Sequence, residues 1–387
     1  MSRFEIKGWC PSALRPMLSG DGLVVRVRPH GGRLSAAQAA GIADLAGHYG
    51  NGFIDLTGRA NLQIRGVRAE NHEPLIAALT LLGLIDANLE TEVQRNILVA
   101  PFWRDGDDTH ALAAALERAL AAHHLSLPEK FGFAVDCGPE RLLTQASADI
   151  RIERGTAGEL IVRADGAAHG REVTREAAIG LALSLAEWFT ASGGVRSGRG
   201  RMAAHIGGGA KIPAALAGRA KPAPAVPAPS PGLHARGALV GVAFGSMPGA
   251  TLKFLAGCAA GLRLTPWRLI LVEGLHELPW HDGLVTRADD PILRVAACTG
   301  APDCPEARAE TRAFATALAP YMPADASLHV SGCAKGCAHP RDAAITLVGS
   351  GNGFDLIRHG SAQGSPIVHG LDPANILAAP RALLGGG

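Results

Sequence analysis

The sequence carries no marked excess of either charge. Its 37 lysines and arginines are nearly matched by 35 aspartates and glutamates, for a formal net charge of +2. Nothing in that balance calls for a nucleic-acid partner, although a small surplus of base can still be gathered in one cleft. Long apolar runs are missing too. Stretches such as AAIGLALSLA, residues 177–186, are about half of the roughly 20 residues a bilayer span needs, so no membrane partner is expected. The opening MSRFEIKGWCPSALRPM lacks the apolar core of a secretion signal, and the expected location is the cytoplasm. No Gly-x-Gly-x-x-Gly opens a helix after a strand. GSGNGF at 349–354 reads as a hairpin turn, which removes the usual dinucleotide site. An even, closely spaced set of cysteines is also absent: the chain has seven, which argues against a disulfide framework.

What remains is a globular chain of 387 residues, 47% hydrophobic and 19% charged, long enough for two or three domains. KIPAALAGRAKPAPAVPAPSPGLHARG (211–237) is rich in Pro and Ala without an apolar period, and reads as an extended, exposed linker. The segments on either side begin alike. GLVVRVRPHGGRLSAAQAAGIADLA (22–46) and IDLTGRANLQIRGV (54–67) are echoed by GALVGVAFGSMPGATLKFLAG (237–257) and LRLTPWRLILVEGL (262–275). Thr57 and Thr265 are each followed nine residues later by a glycine, Gly66 and Gly274. Each unit reads as strand, Gly turn, helix, strand, with Val24, Val25 and Val27 as strand formers and Ser35 as a helix N-cap. Helices are expected over 73–84, 109–124, 175–194 (ending at Gly193 and Gly194) and 306–322, strands over FGFAVDCG, DIRIER and SLHVSG, and a hairpin over 343–360. The result is an α+β chain with duplicated halves: residues 1–72 and 73–210, a linker over 211–236, then 237–290 and 291–387.

Four cysteines crowd the C-terminal part. Cys298 and Cys304 form a C-x5-C in CTGAPDC, and Cys333 and Cys337 a C-x3-C in VSGCAKGCAHP. Four thiolates from two loops suit a [4Fe–4S] cluster. They also suit a structural zinc, though zinc knuckles favour tighter spacings. Unrelated buried thiols are the third reading. Gly300, Gly332 and Gly336 let backbone N–H groups turn toward a cluster. Cys137 and Cys258 sit in apolar stretches and read as core. Cys10 is either a partly buried thiol or a further ligand.

The cysteine pairs, taken with the duplicated unit, resemble the sulfite/nitrite reductase superfamily over almost the whole chain. CPSALRPMLSGDGLVVRVRPHGG, LTGRANLQIRGV, LPEKFGFAVDCG, LRLTPWR and VSGCAKGCAHP are most similar to the branch that acts on precorrins in aerobic cobalamin synthesis. The resemblance implies a pseudo-twofold fold of two ferredoxin-like half-domains and two α/β catalytic domains. It implies a [4Fe–4S] cluster on Cys298, Cys304, Cys333 and Cys337, beside a site for a tetrapyrrole that carries eight carboxylates. Arg59, Gln63 and Arg95 match carboxylate-binding positions, and arginine forks fit carboxylates in bidentate fashion. Arg28 and Lys130 match groups on the reacting face. Each alone would read as a solvated charge; five in matching local patterns do not. Arg65, Arg196, Arg199 and Arg201 read as surface charge or rim.

Two departures separate this chain from the reductases. Gly132 stands where they carry a second lysine, and Lys335 lies between the last two thiols, in a place to meet the tetrapyrrole. The implied reaction is therefore oxygen-dependent hydroxylation of precorrin-3A, with O2 as co-substrate and a reductase or ferredoxin as electron donor. A mononuclear non-haem iron is the implied oxygen-activating centre. The sequence does not give its ligands: His30, His205, His329 and His339 lie near motifs, and two histidines with a carboxylate are the usual set. The rival readings are a sirohaem-dependent sulfite or nitrite reductase and a zinc-stapled tetrapyrrole-binding protein without catalysis.

Overall fold

A computed structural model describes residues 11–123 and 125–384. Cys10 lies outside them. The first unit contains strands β1 (Met17–Ser19), β2 (Gly22–Val27), β3 (Arg33–Ser35), β4 (Phe53–Leu56) and β5 (Leu62–Val67), with helices α1 (Ala36–Tyr49) and α2 (His72–Leu81). Helix α1 begins where Ser35 predicts. The Ser35 hydroxyl accepts the Gln38 N–H, and the Gln38 side chain accepts the Ser35 N–H in return, which satisfies two of the free donors at the helix start.

The second unit contains α3 (Leu89–Gln94), β6 (Ile97–Val99), α4 (Asp108–Ala122), β7 (Phe133–Asp136), β8 (Ile150–Arg154), β9 (Leu160–Ala164), β10 (Arg171–Glu172), α5 (Arg175–Ala191) and α6 (Met202–Gly207). The third contains β11 (Gly232–His234), β12 (Gly237–Val242), β13 (Ser246–Pro248), α7 (Gly249–Cys258), β14 (Gly261–Leu264), β15 (Leu269–Glu273) and β16 (Leu284–Val285). The fourth contains β17 (Val295–Ala297), α8 (Arg312–Leu318), β18 (Leu328–Ser331), β19 (Ala343–Ser350), β20 (Gly353–Gly360), β21 (Val368–Leu371), α9 (Pro373–Ala378) and α10 (Pro380–Leu384).

The duplication is visible in the pairing. The first sheet runs β1-β2-β5-β4-β13 and the third unit's sheet runs β11-β12-β15-β14-β3. Each unit thus lends one short strand to the other's edge: Leu34 lies opposite Leu262, and Met247 opposite Ile54. Helices α1 and α7 pack on each other. One apolar core takes Val25, Ile54 and Leu62 from one copy and Val240, Leu262 and Ile270 from the other. A half-domain split along this seam would expose both faces, so the two copies stabilise each other. The turns after β4 and β14 are also copies. The Thr57 hydroxyl accepts the N–H groups of Arg59 and Asn61, and the Thr265 hydroxyl those of Trp267 and Leu269. Both turns pass through the left-handed region at matched positions, Ala60 at φ 53° and Arg268 at φ 63°.

The two α/β units repeat each other as well. In each, the first three strands are parallel and the last two turn back: β6-β7-β8-β9-β10 and β17-β18-β19-β20-β21. One expectation changes. The helix read from residue 306 starts only at Arg312 and tightens into a 3-10 turn over Ala319–Tyr321. The preceding residues spend their backbone groups on the cysteine loops instead. Arg308 N–H donates to Gly332 O, Ala307 N–H to Cys304 O, and Ala309 O accepts from Ala301 N–H. The Pro/Ala-rich segment runs beside the first α/β sheet, tied by Ala223 N–H to Arg154 O and by Val226 N–H to Arg141 O.

A candidate cluster and tetrapyrrole site

Strand β17 ends one residue before Cys298 and β18 two residues before Cys333. Because the two strands are parallel neighbours, with Val295 opposite Leu328 and Ala297 opposite Val330, both cysteine loops leave from the same edge. The carboxyl ends of parallel strands are where open α/β sheets hold ligands. The loops are fastened there. Cys298 N–H reaches Val330 O at 3.4 Å, Gly332 N–H donates to Cys298 Sγ at 3.2 Å, and the Thr311 hydroxyl donates to Cys298 O at 2.6 Å. Gly300 turns the first loop at φ 75°, and a Cβ there would stand 2.5 Å from the Thr311 hydroxyl. Only glycine allows both the turn and that approach.

The thiols share one electrostatic environment. Burial pushes the Cys337 thiol up. Lys335 beside it works the other way, and the nearby Cys333, Cys298 and Cys304 raise it further. Burial likewise raises Cys333, aided by Cys304 and Cys298. Cys333 and Cys337, which resist ionising, need a cationic centre to become thiolates. Among the described residues, no three or more His, Cys, Asp or Glu side chains are drawn together closely enough for a single metal ion. Of the histidines near the motifs, His30 binds Glu117 at 2.9 Å, His205 binds the Ser192 hydroxyl at 2.7 Å, and His339 contacts Asp342 O at 3.2 Å with its ring 5.8 Å from that of His329.

The basic residues fall into three places. Arg59, at the turn after β4, donates to Lys130 O at 3.0 Å and to the Ser147 hydroxyl at 3.2 Å. The exposed Lys130 lies beside Arg199 and Arg201 around a small hollow of about 140 Å³. Gln63, on β5, is paired in register with Arg26 and Asp55. Arg28 and Arg95 are buried together. Arg28 donates to Glu92 O at 2.6 Å, and Arg95 donates to Arg28 O at 2.8 Å while its fork grips Asp86 through two 2.8 Å bonds. Arg95 therefore meets a substrate carboxylate only if it exchanges Asp86 for it. Lys335, half-buried in the last cysteine loop, is the third place.

The pseudo-twofold seam links these places. Gly58, in the Arg59 turn, faces Pro266 O of the copied turn at 3.9 Å from an ideal Cβ. From that second turn Arg268 donates to Ala338 O at 2.9 Å, just past Cys337. On the other side the Ser19 hydroxyl donates to Asp303 O at 3.3 Å, beside Cys304. Arg65, read as surface, is instead buried in an ionic network with Asp21 at 2.8 Å and Asp55 at 3.7 Å, and Arg312 shares Asp55 at 3.2 Å.

Sequence reading missed Asp86, Glu92 and Arg268. Glu92 is buried and accepts the N–H groups of Ala13 and Leu14 at 2.6 and 3.0 Å. Asp86 carried no motif. Arg268 could have been found by aligning the repeats, where it matches Ala60. Gly132, the missing lysine, is buried, and a Cβ there would lie 3.0 Å from the Asn96 side chain and carbonyl. His329 is fully buried with neither ring nitrogen hydrogen-bonded among the described residues, and burial, helped by His339 and Arg268, pushes it down to about 4.

Comparison with known proteins agrees in scope with these features. Residues 15–82 match the family model of the nitrite/sulfite reductase ferredoxin-like half domain. A curated relative named precorrin-3B synthase, from a Sinorhizobium species, is 31% identical over 93% of this chain and 84% of its own length. The ferredoxin–nitrite reductase of Synechococcus elongatus is 30% identical over 34% of the chain and 27% of that protein. Among solved structures, the NirA protein of Mycobacterium tuberculosis superposes with a TM-score of 0.60 at 17% identity, covering 92% of this chain and 79% of that one. That likeness concerns the fold.

Proposed function

This chain belongs to the precorrin-3B synthase family, within the nitrite/sulfite reductase-like proteins, and from that premise we propose that it is the oxidoreductase that makes precorrin-3B in cobalamin synthesis. The proposed reaction consumes precorrin-3A, O2, two electrons and two protons. One oxygen atom enters at the C20 meso carbon. The ring A acetate closes a γ-lactone onto the neighbouring carbon, and the second oxygen atom leaves as water. The electrons come from a separate reductase or ferredoxin. A [4Fe–4S] cluster on Cys298, Cys304, Cys333 and Cys337 would supply them one at a time.

The observation that carries this reading is a pair of departures from the reductase pattern. Lys335 places a cation between two thiols of the cysteine loop, and buried Gly132 packs against Asn96 where a reductase-type lysine would need room. Six-electron reduction of a small anion benefits from dense proton donors on the reacting face; a two-electron oxygenation needs fewer. The chain's own residues would bind and orient the substrate. Arg59 turns from the Ser147 hydroxyl to a propionate or acetate, Lys130 and Lys335 neutralise further carboxylates, and Gln63 supplies an amide donor. Arg95, locked by Asp86, holds the Arg28 backbone in place, which fixes the direction of the Arg28 side chain.

The test is turnover of precorrin-3A under 18O2 with a reduced donor, on protein purified anaerobically. Product that carries one labelled oxygen, with about four irons and acid-labile sulfide per chain and no Soret band, supports the reading. A strong Soret band with sulfite or nitrite reduction would replace it with a sirohaem enzyme. One zinc and no sulfide would leave a binding protein.

A further inference from the structure

The largest hollow of the described chain, about 750 Å³, is lined by Ala100, Cys137 and Arg154. Its two arginines, Arg154 and Arg175, both pair with Asp108. A smaller hollow of about 310 Å³ is lined by His234, Arg236, Arg263, Glu273 and His276. Its charges are not balanced in this way, and the pseudo-twofold repeat shows why.

The first copy closes its ionic network. Asp55 lies opposite Gln63 on one side and Ser246 on the other, and Arg65 follows Gln63 by two residues on β5. Arg65 grips Asp21 at 2.8 Å and reaches Asp55 at 3.7 Å. Arg312 adds a second cation, 3.2 Å from Asp55 and 2.8 Å from the Ser246 hydroxyl. Two guanidiniums meet two carboxylates. In the second copy the signs are reversed. Arg263, opposite Leu271 and Arg33, holds the place of Asp55, and Arg33 that of Ser246. Glu273, two residues past Leu271 on β15, holds the place of Arg65. Arg236, directly before β12, holds that of Asp21, directly before β2. Three guanidiniums are set against one carboxylate, a surplus of two positive charges.

Glu273 has no capacity left for the third. Arg33 takes both its oxygens, at 2.8 and 2.7 Å, and Arg263 Nε donates to its Oε1 at 2.5 Å. Arg263 is 8% exposed. Its Nη1 donates to Pro101 O and Trp103 O at 2.7 and 2.6 Å. Its Nη2 donates to no described residue and is not sealed from solvent. Arg236 is half-buried, and its guanidinium forms no hydrogen bond or ion pair with a described residue. Burial pulls the Arg263 value down, Glu273 offsets part of that, and the charges of Arg33 and Arg236 lower it further. The exposed Asp105 acts on Arg33 but does not line the hollow. Free guanidinium N–H groups in such a place suit the oxygens of an anion. A carboxylate brings one charge and leaves half of the surplus, whereas a phosphate brings up to two. A second hollow of about 470 Å³ shares His234, Ala235 and Arg236 with the first. Phe102, stacked on His234 at 5.2 Å, walls it, which leaves room for an organic group beside the arginines.

We propose that this hollow binds a phosphate group, free or at the end of a small organic ester, through Arg236 and Arg263 Nη2. The inference does not rest on the tetrapyrrole reading.

The test is calorimetric titration of the full-length protein at pH 8 and fixed ionic strength. Inorganic phosphate, glycerol 3-phosphate and adenosine monophosphate are the probes, and acetate is the control of single charge. Saturable binding of a phosphate probe, about tenfold or more tighter than acetate, is expected. An ester that binds tighter than inorganic phosphate identifies the ester as the occupant, and the reverse order identifies the free ion. Arg236→Asp restores the sign found at Asp21. It should weaken phosphate binding about tenfold or more, because a charge-assisted donor is lost and a repelling carboxylate gained. Arg236→Gln removes only the charge of a half-buried side chain, and decides the matter if the Asp variant does not fold. No saturable phosphate binding, acetate binding as tight as phosphate, or phosphate binding that survives both variants would overturn the proposal.

Discussion

Replacing Asp136 by asparagine should stabilise the protein at neutral pH and do nothing at low pH. Burial is the first cause that pushes its carboxyl from 3.8 up to about 6, and Glu153 nearby adds to it, while the N–H groups of Leu143 and Leu142 and the charge of Arg141 act the other way. The folded-state value lies above the unfolded one, so ionisation favours the unfolded chain. Below pH 3.8 both states are protonated and nothing is lost. Between 3.8 and 6 the penalty grows, and above 6 it is complete. A shift of about two units corresponds to roughly 3 kcal/mol, an upper figure because water reaching the carboxyl would soften it. Asparagine keeps an oxygen for the Leu143 N–H, carries no charge, and turns Oδ1, which has no hydrogen-bond partner among the described residues, into a donor. The expected gain is on the order of 1–3 kcal/mol at pH 7.5, a few degrees in melting temperature, falling to about half near pH 5 and toward zero only as pH drops below 3.8. Thermal melts of both proteins from pH 3.5 to 8 measure it. A variant less stable than its parent at pH 7.5, or a gap that does not change with pH, would refute the account of Asp136 as a buried, strained carboxyl.

Other expectations follow from the same geometry. Cys298→Ser or Cys333→Ser should abolish the low-temperature EPR signal of a reduced cluster, and a normal signal in either variant would remove that residue from the ligand set. Arg59→Ala should weaken precorrin binding about tenfold while iron and sulfide content stay unchanged, because its contacts are with Lys130 O and Ser147 and not with the cysteine loops. Asp86→Ala leaves the 5%-exposed Arg95 without its bidentate partner, and should cost about 3–5 kcal/mol in denaturant unfolding. Gly66→Ala should also destabilise, by about 1–3 kcal/mol, since Gly66 has φ 67° and a Cβ there would sit 2.6 Å from Asn51 Cβ. An alanine variant with the parent's stability would show that this turn relaxes freely.

The sequence by itself determined the repeat, the cysteine pairs and the capped start of α1, but not the start of α8, which begins at Arg312 and not at 306. These are local or periodic signals. Thr57 and Thr265 specify the same hydroxyl-bonded turn wherever they occur, and Ser35 caps α1 through bonds three residues long. Likewise, two short Cys loops carry their spacing on their face. Tertiary structure decided what depends on distant partners. Only the parallel register of β17 and β18 brings Cys298 beside Gly332, 34 residues apart, and only the exchange of β3 and β13 joins the copies into one core. Arginines looked alike in sequence, because a guanidinium has no local partner preference. Folding gave Arg95 to Asp86 and Arg65 to Asp21, and left Arg59 at a seam beside Lys130. The hollow lined by Ala100, Cys137 and Arg154 had no sequence signal at all, because distant loops build it.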